Sequence, residues 1–498
     1  MKILLVYPEF PDTFWSFKHA LKFIHKKSAS PPLGLLTIAA LLPETWQKKL
    51  IDINIRPLRL KDLKWADYVF ISGMTVQRDS AREIIDRCIA AGVKVVAGGP
   101  LFTMEHQRFL DVDHLLLNEA EITLPQFLED LDKGFPEHIY QTDQFADIQQ
   151  TPAPLWNLIN LKDYASMSVQ YSRGCPFNCD FCNVTALLGH RMRIKTAAQM
   201  VNELDRLYQA GWRRGVFFVD DNLIGNKKIL RDDLLPALTT WRKDKYGFSF
   251  NTEVSINLAD DPKLMEMMVA AGFNKVFIGI ETPDEKNLEE CSKQQNLNRD
   301  LVADVRRIQH AGMQVQGGFI VGFDHDSQTT FKSLVDFIQA SGVVTAMVGI
   351  LQAPVGTRLY ARLEQAGRIL KQFSGDNVDG STNILTKMNM EILKKSYQDL
   401  LQHIYSPKMY FQRVKTFLSE YEMPHIKIYL DFHSIWENLS AFSRSVFQLG
   451  IIGQERWQYW KLFFWTLFNK PRLFPLAIEF SIYGYHFRKI SQKAARQT

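Results

Sequence analysis

Apolar positions along this chain fall into two stretches of alternating short and long patterns, followed by a third stretch without strand-like runs. In the first, residues 1–134, continuous apolar runs occupy 2–8, 50–53, 68–72, 93–100 and 114–121. Such runs are strands buried in a parallel sheet. Amphipathic segments at 33–42, 76–91 and up to Gly134 predict helices between them. The alternation predicts an open, doubly wound α/β sheet. Sheets of this kind bind ligands at the carboxyl ends of their strands, here the loops 8–32, 73–75, 98–103 and 118–121.

Residues 135–166 carry Pro136, Pro152 and Pro154 with little periodicity and read as a linker. From residue 167 the alternation restarts. Strands are expected at 168–172, 216–220, 248–253, 275–279, 314–321 and 346–352, with helical segments between. Six βα units in about 200 residues predict a parallel sheet curled into a partial barrel, with its chemistry-bearing loops on one face. This second α/β domain is expected to end at Arg368. After a polar loop at 375–383, the extension 369–498 reads as helical and ends in an aromatic, basic tail.

Composition narrows the function classes. The chain has 498 residues, 46% apolar and 23% charged, which is ordinary globular usage and enough for about three domains. The longest uncharged apolar run near the C-terminus is 462–468, whereas a membrane span needs roughly 20 residues. The first residues, MKILLVYP, lack a secretory signal pattern, so a cytoplasmic protein is expected. The net charge is +5, but residues 456–498 hold eight basic residues and one acid, a net +7 that leaves −2 for the rest. That distribution argues against a nucleic-acid partner. It leaves two readings of the tail: a helical subdomain packing aromatics on the barrel, or peripheral contact with the inner face of a membrane.

The five cysteines are too few and too uneven for a disulfide scaffold. Three of them, Cys175, Cys179 and Cys182, stand in RGCPFNCDFCN with C-x3-C-x2-C spacing, just after the first strand of the second domain. Three thiolates on one loop can hold one metal centre. A structural zinc usually wants four protein ligands. Iron–sulfur clusters also favour thiolates, and three would leave one iron of a four-iron cluster open. Structural packing or zinc is the plainer alternative. Cys88 and Cys291 read as structural.

The cysteine motif, with Phe181 before its last member, resembles that of the radical SAM superfamily, and the likeness covers roughly residues 168–368. It implies a 4Fe-4S cluster on Cys175, Cys179 and Cys182, with S-adenosylmethionine chelated by the free iron and cleaved to a 5′-deoxyadenosyl radical. It also implies a low-potential electron donor such as flavodoxin or ferredoxin. Strand ends then offer cofactor contacts: Asp220, Asp221 and Asn222 where the family often has a GGE-like sequence, Glu253 and Ser255 on the third strand, and Glu281 on the fourth. Gly317, Gly318 and Gly322 on the fifth resemble the stretch against the adenine, and Pro354 resembles a turn closing over it.

The first domain is similar to the cobalamin-binding domain that precedes many radical SAM domains. Ser72, Thr75, Gly98, Gly99 and Glu119 occupy the matching strand ends, with the two glycines letting backbone approach a large flat ligand. The DxHxxG motif that supplies a lower cobalt ligand elsewhere is absent, and His19 is a weak substitute in the first loop. No G-x-G-x-x-G follows the first strand, which disfavours a dinucleotide site. The whole order resembles the group containing the hopanoid C-2 methylases. It implies radical methylation of an unactivated carbon in a large apolar, lipid-like substrate. A cyclase or rearrangement enzyme, and a redox or cobalamin sensor, are the alternatives.

Overall fold

A computed structural model describes residues 1–370, 374–376, 379–424 and 432–494. Parts of the expected polar loop (377 and 378) and the tail's Arg496 lie outside the described residues.

Six parallel strands form the first sheet: β1 (Lys2–Tyr7), β2 (Gln47–Asp52), β3 (Tyr68–Ser72), β4 (Lys94–Gly98), β5 (His114–Leu116) and β6 (Ile139–Tyr140), in the order β2-β1-β3-β4-β5-β6. The continuous apolar run of β1 has a direct cause. Leu4 and Val6 enter one core and Ile3 and Leu5 the other, so both faces are covered. The run 114–121 is strand only to Leu116, and a helix, Ala120–Lys133, starts within it. The segment expected to be a linker supplies β6, which pairs with β5 through two residues. It also buries Trp156 and Tyr164, and Tyr164 Oη donates to Asp52 at 3.1 Å.

The second sheet holds β7 (Met167–Val169), β10 (Gly215–Phe218), β11 (Ser249–Glu253), β12 (Phe273–Glu281), β13 (Gln314–Val321) and β14 (Thr345–Ile350), all parallel and in that spatial order. The expected strand 168–172 stops at Val169. The chain then diverts into β8 (Ser172–Arg173), which pairs antiparallel with β9 (Arg193–Ile194). On β12, Val276, Ile278 and Ile280 are fully buried in the main core. The alternate residues Lys275, Phe277 and Gly279 face the inner wall, where Trp15 packs on Phe277 with ring centroids 5.1 Å apart.

The extension is helical, with Met390–Ile404, Pro407–Glu420, Phe432–Ser445, Arg456–Asn469 and Phe474–Ala494. The last helix is a core element: Phe480, Phe487 and Ile490 are buried. Glu479 pairs with Lys275 at 2.5 Å, and Tyr410 Oη donates to the Phe480 carbonyl at 2.7 Å. The first loop reaches this helix. Phe14 lies 5.6 Å from Phe487, and Phe17 stacks on His486 at 5.3 Å. Among the described residues no helix is long and apolar enough to cross a membrane.

Candidate active site

The cysteine loop is the tip of the β8–β9 hairpin, and its base is closed by backbone. Gly174 has φ 95°, and a Cβ there would stand 2.7 Å from the Arg191 carbonyl, so only glycine fits. Cys175 N donates to the Gly189 carbonyl at 3.2 Å. Inside the loop, Asp180 N donates to the Cys291 carbonyl at 3.0 Å, and the Asp180 carboxylate pairs with Arg358 at 2.8 Å. Asp220, fully buried at the end of β10, accepts from the backbone N–H groups of Tyr171 and Ser172 and from the Ser172 hydroxyl. Those bonds turn the chain out of the sheet into the hairpin. Asp220 thus positions the cysteines and has no free oxygen aimed at the mouth.

Cys175, Cys179 and Cys182 are half-buried, unlike the buried Cys88 and Cys291. Burial pushes the Cys182 thiol up to about 12 and raises Cys175 as well. Thiols so placed need a bound cation to become thiolates. Gln295 Nε2 donates to Cys179 Sγ at 3.8 Å. Among the described residues no three His, Cys, Asp or Glu side chains converge as ligands of a single ion. Three thiols on one loop are an all-sulfur donor set, which fits an iron–sulfur cluster.

Lys293 lies beside the three thiols and had no signal in the sequence. Its Nζ pairs with Glu281 at 2.7 Å and sits over the Phe181 ring at 5.9 Å. Burial works against its charge, but Glu281 and then Cys179 hold its pKa above the ordinary value. Glu281 has φ 63°, in the left-handed region that non-glycine residues rarely enter. A Cβ on Gly279 would stand 2.9 Å from Lys293 Nζ, so that glycine makes room for the pair. Along the same wall, burial raises Asp221 to about 6. Glu253 rises to about 8, from burial first and the nearby Asp221 second. Asn222 Oδ1 accepts from Ser255 N at 3.2 Å, while its buried Nδ2 has no partner, a donor left for a ligand. Ser255 Oγ donates to Asn257 at 2.6 Å.

The fifth-strand glycines meet aromatic rings: a Cβ on Gly317 would stand 2.8 Å from Phe319, and one on Gly318 2.7 Å from Phe277. Gly322 N donates to Asp326 at 2.6 Å. The Pro354 carbonyl accepts from the Thr357 hydroxyl at 2.7 Å, which fixes the turn below that strand end.

In the first domain, Gly99 has φ 89° and a Cβ there would overlap the Ser72 hydroxyl, while a Cβ on Gly98 would stand 2.7 Å from the Leu116 carbonyl. Thr75 is buried against Gly375. Half-exposed Met74 and Asn118, itself at φ 66°, border these strand ends. Bare backbone bordered by an exposed methionine fits a broad, flat ligand such as a corrin. Glu119 does not face that space, because Arg193 and the backbone N–H of Ala146 take up its carboxylate. Glu121 pairs with Arg173 at 2.7 Å, and Asn183 Nδ2 lies 3.3 Å from the Met104 sulfur. The carboxyl ends of the two sheets therefore meet at the cysteine hairpin. His19 lies 5.7 Å from His486 and His25 bonds Arg444, so both rings are engaged by the extension.

Two α/β units thus meet at the cysteine hairpin, and comparison with known proteins identifies both. Residues 169–338 match the Radical SAM superfamily, 24–128 a B12 binding domain, and 357–498 a domain of unknown function. An uncharacterised methyltransferase of Synechocystis is 39% identical over 98% of this chain and 91% of its own. The hopanoid C-2 methylase of Rhodopseudomonas palustris is 32% identical over 92% of this chain and 88% of its own. The cobalamin-dependent S-adenosylmethionine radical enzyme OxsB, solved with aqua-cobalamin, superposes with a TM-score of 0.64 at 15% identity, covering 99% of this chain and 80% of that one. The chain belongs to the cobalamin-dependent radical SAM methyltransferase family. Its cofactors are a 4Fe-4S cluster, S-adenosylmethionine and cobalamin.

Proposed function

We propose that this methyltransferase acts on an unactivated carbon of a large apolar, lipid-like molecule. The observation that carries the reading is the meeting of the first domain's strand ends with the cysteine hairpin, with Trp15 packed on Phe277 of the strand that ends at Glu281. When bound, the cluster, S-adenosylmethionine and cobalamin supply a reductive radical source and a methyl carrier. Cys175, Cys179 and Cys182 would hold the cluster, and the strand ends at Ser72, Thr75, Gly98 and Gly99 would border the corrin. The chain's own contribution is placement in a dry setting. Asn222 offers its unpartnered N–H to a polar cofactor group. The Lys293–Glu281 pair places a positive charge beside the sulfurs. Trp15 and Phe277 offer an aromatic surface that suits a hydrocarbon, and the name of the Rhodopseudomonas relative supports a hopanoid-like substrate.

An external one-electron donor, of the flavodoxin or ferredoxin kind, is required. Anaerobic reconstitution with iron, sulfide and hydroxocobalamin, followed by mass analysis of lipid extracts, tests the reading. A product heavier by one methylene unit is expected. An isomeric product would make the enzyme a cyclase or rearrangement enzyme, and no S-adenosylmethionine cleavage under strong reductant would make it a sensor. Cys179→Ala is expected to lose both cluster absorbance and 5′-deoxyadenosine formation.

A further inference from the structure

Three consecutive elements of the extension, Phe432–Ser445, Val446–Ile452 and Arg456–Asn469, each expose large apolar side chains. Trp436, Trp457 and Phe468 are 72, 71 and 78% exposed, and Phe447, Ile451 and Phe464 are about half exposed. Single exposed apolar residues are ordinary on protein surfaces, but this many large ones on successive elements mark an interaction site. On Arg456–Asn469 the pattern is one stripe. Trp457, Lys461, Phe464 and Phe468 recur at helical spacing, with Phe464 stacked on Trp460 at 5.8 Å and on Phe468 at 6.4 Å. The opposite face, with Tyr459, Leu462 and Thr466, is buried. Trp460 Nε1 donates to the Gly450 carbonyl at 2.9 Å and fixes the helix to the preceding π-helical turn.

Charge selects the occupant. From Phe432 to Leu473 there are five basic residues and two acids; Glu437 pairs with Lys26 and Arg214, and Glu455 is buried and paired with Arg488. Arg456 and Lys461 are exposed among the aromatics. Tryptophan and phenylalanine at the headgroup boundary, with cations reaching toward anionic lipid, make an interfacial docking face. A second copy of the chain would set this cationic patch against itself in a two-fold contact. No helix among the described residues is long and apolar enough to span, so the contact would lie in the plane of the surface.

We infer that this face seats the enzyme on an anionic bilayer surface. The same helical block holds the first loop: Arg444 donates to the Phe23 carbonyl at 2.6 Å, and Glu437 pairs with Lys26 at 3.7 Å. The loop that carries Trp15 is thereby anchored next to the docking elements. The inference holds whatever molecule is methylated.

Full-length holoenzyme is sedimented anaerobically with phosphatidylcholine vesicles, with and without phosphatidylglycerol. Pelleting is expected with the anionic vesicles, weakened by salt. A Trp457→Glu/Phe468→Glu double variant is expected to lose at least about tenfold in vesicle affinity, given the apolar area removed from the contact. Its cluster absorbance and S-adenosylmethionine cleavage should be retained. Lys461→Glu is expected to weaken binding to anionic vesicles only. The inference is overturned if wild type pellets with neither vesicle, if the double variant binds as wild type does, or if light scattering shows a dimer that the double variant abolishes and vesicles do not compete.

Discussion

Glu119 and Arg193 join the two sheets by a two-pronged ion pair, with Nη2 to Oε1 at 2.6 Å and Nη1 to Oε2 at 2.7 Å. Arg193 stands at the base of the cysteine hairpin, so the pair ties the first domain directly to the cluster loop. Removing one partner of a buried pair leaves the other charge uncompensated and costs about 3–5 kcal/mol. Glu119→Ala is expected to lower the unfolding temperature and to loosen the hairpin. The Glu119→Ala/Arg193→Ala double variant should lose less than the sum of the singles in anaerobic thermal melts. Additive losses would show that the pair is not coupled.

Lys293 is expected to matter twice, for stability and for chemistry. Lys293→Met leaves Glu281 buried without its partner and should destabilise the protein. Adding Glu281→Gln should restore much of the melting temperature. S-Adenosylmethionine cleavage should stay low in the double variant, because the positive charge beside the sulfurs is gone. Full recovery of 5′-deoxyadenosine formation in the double variant would limit Lys293 to a structural part.

The pH dependence of the apoprotein should report Glu253. Burial, and then Asp221, raise its pKa from 4.5 to about 8 on folding. A group whose pKa is raised in the native state favours folding below its unfolded pKa, and that contribution disappears as pH climbs through the folded value. Stability should therefore fall between about pH 4.5 and pH 8. Glu253→Gln removes this fall, so its melting temperature should gain on wild type at about pH 8 more than at about pH 5. An equal difference at both pH values would contradict the assignment.

Gly99→Ala should be costly. Its φ of 89° with ψ of −173° lies in a region essentially confined to glycine, which disfavours any Cβ by about 1–3 kcal/mol, and the added methyl overlaps the Ser72 hydroxyl. Adding Ser72→Gly should relieve the overlap and leave the backbone strain, so thermal stability recovers in part. Hydroxocobalamin titrations followed by absorbance should show weaker binding in Gly99→Ala. Unchanged affinity would separate this turn from the corrin site.

Buried parallel strands were legible because both of their faces demand apolar residues: the expected and observed bounds of Tyr68–Ser72 and Gln314–Val321 coincide. The two-residue strand Ile139–Tyr140 escaped notice, since an edge pairing that short leaves no periodic trace. Asp220 and Glu119 were legible as strand-end carboxylates but not as to which way they face. A carboxylate that serves a cofactor and one that holds a hairpin read alike until Ser172, Tyr171 and Arg193 are placed around them. Lys293 follows a short helix in a loop, where a lone lysine reads as a solvated residue. It becomes informative only when Glu281 and the bare Gly279 are placed around it.

The loop carrying Phe14 and Phe17 rests on Phe487 and His486, nearly the full length of the chain away. While the protein is being synthesised, that loop waits for partners that are made after both α/β units. That side of the molecule is therefore closed only once the helix Phe474–Ala494 has been made and has packed against the loop.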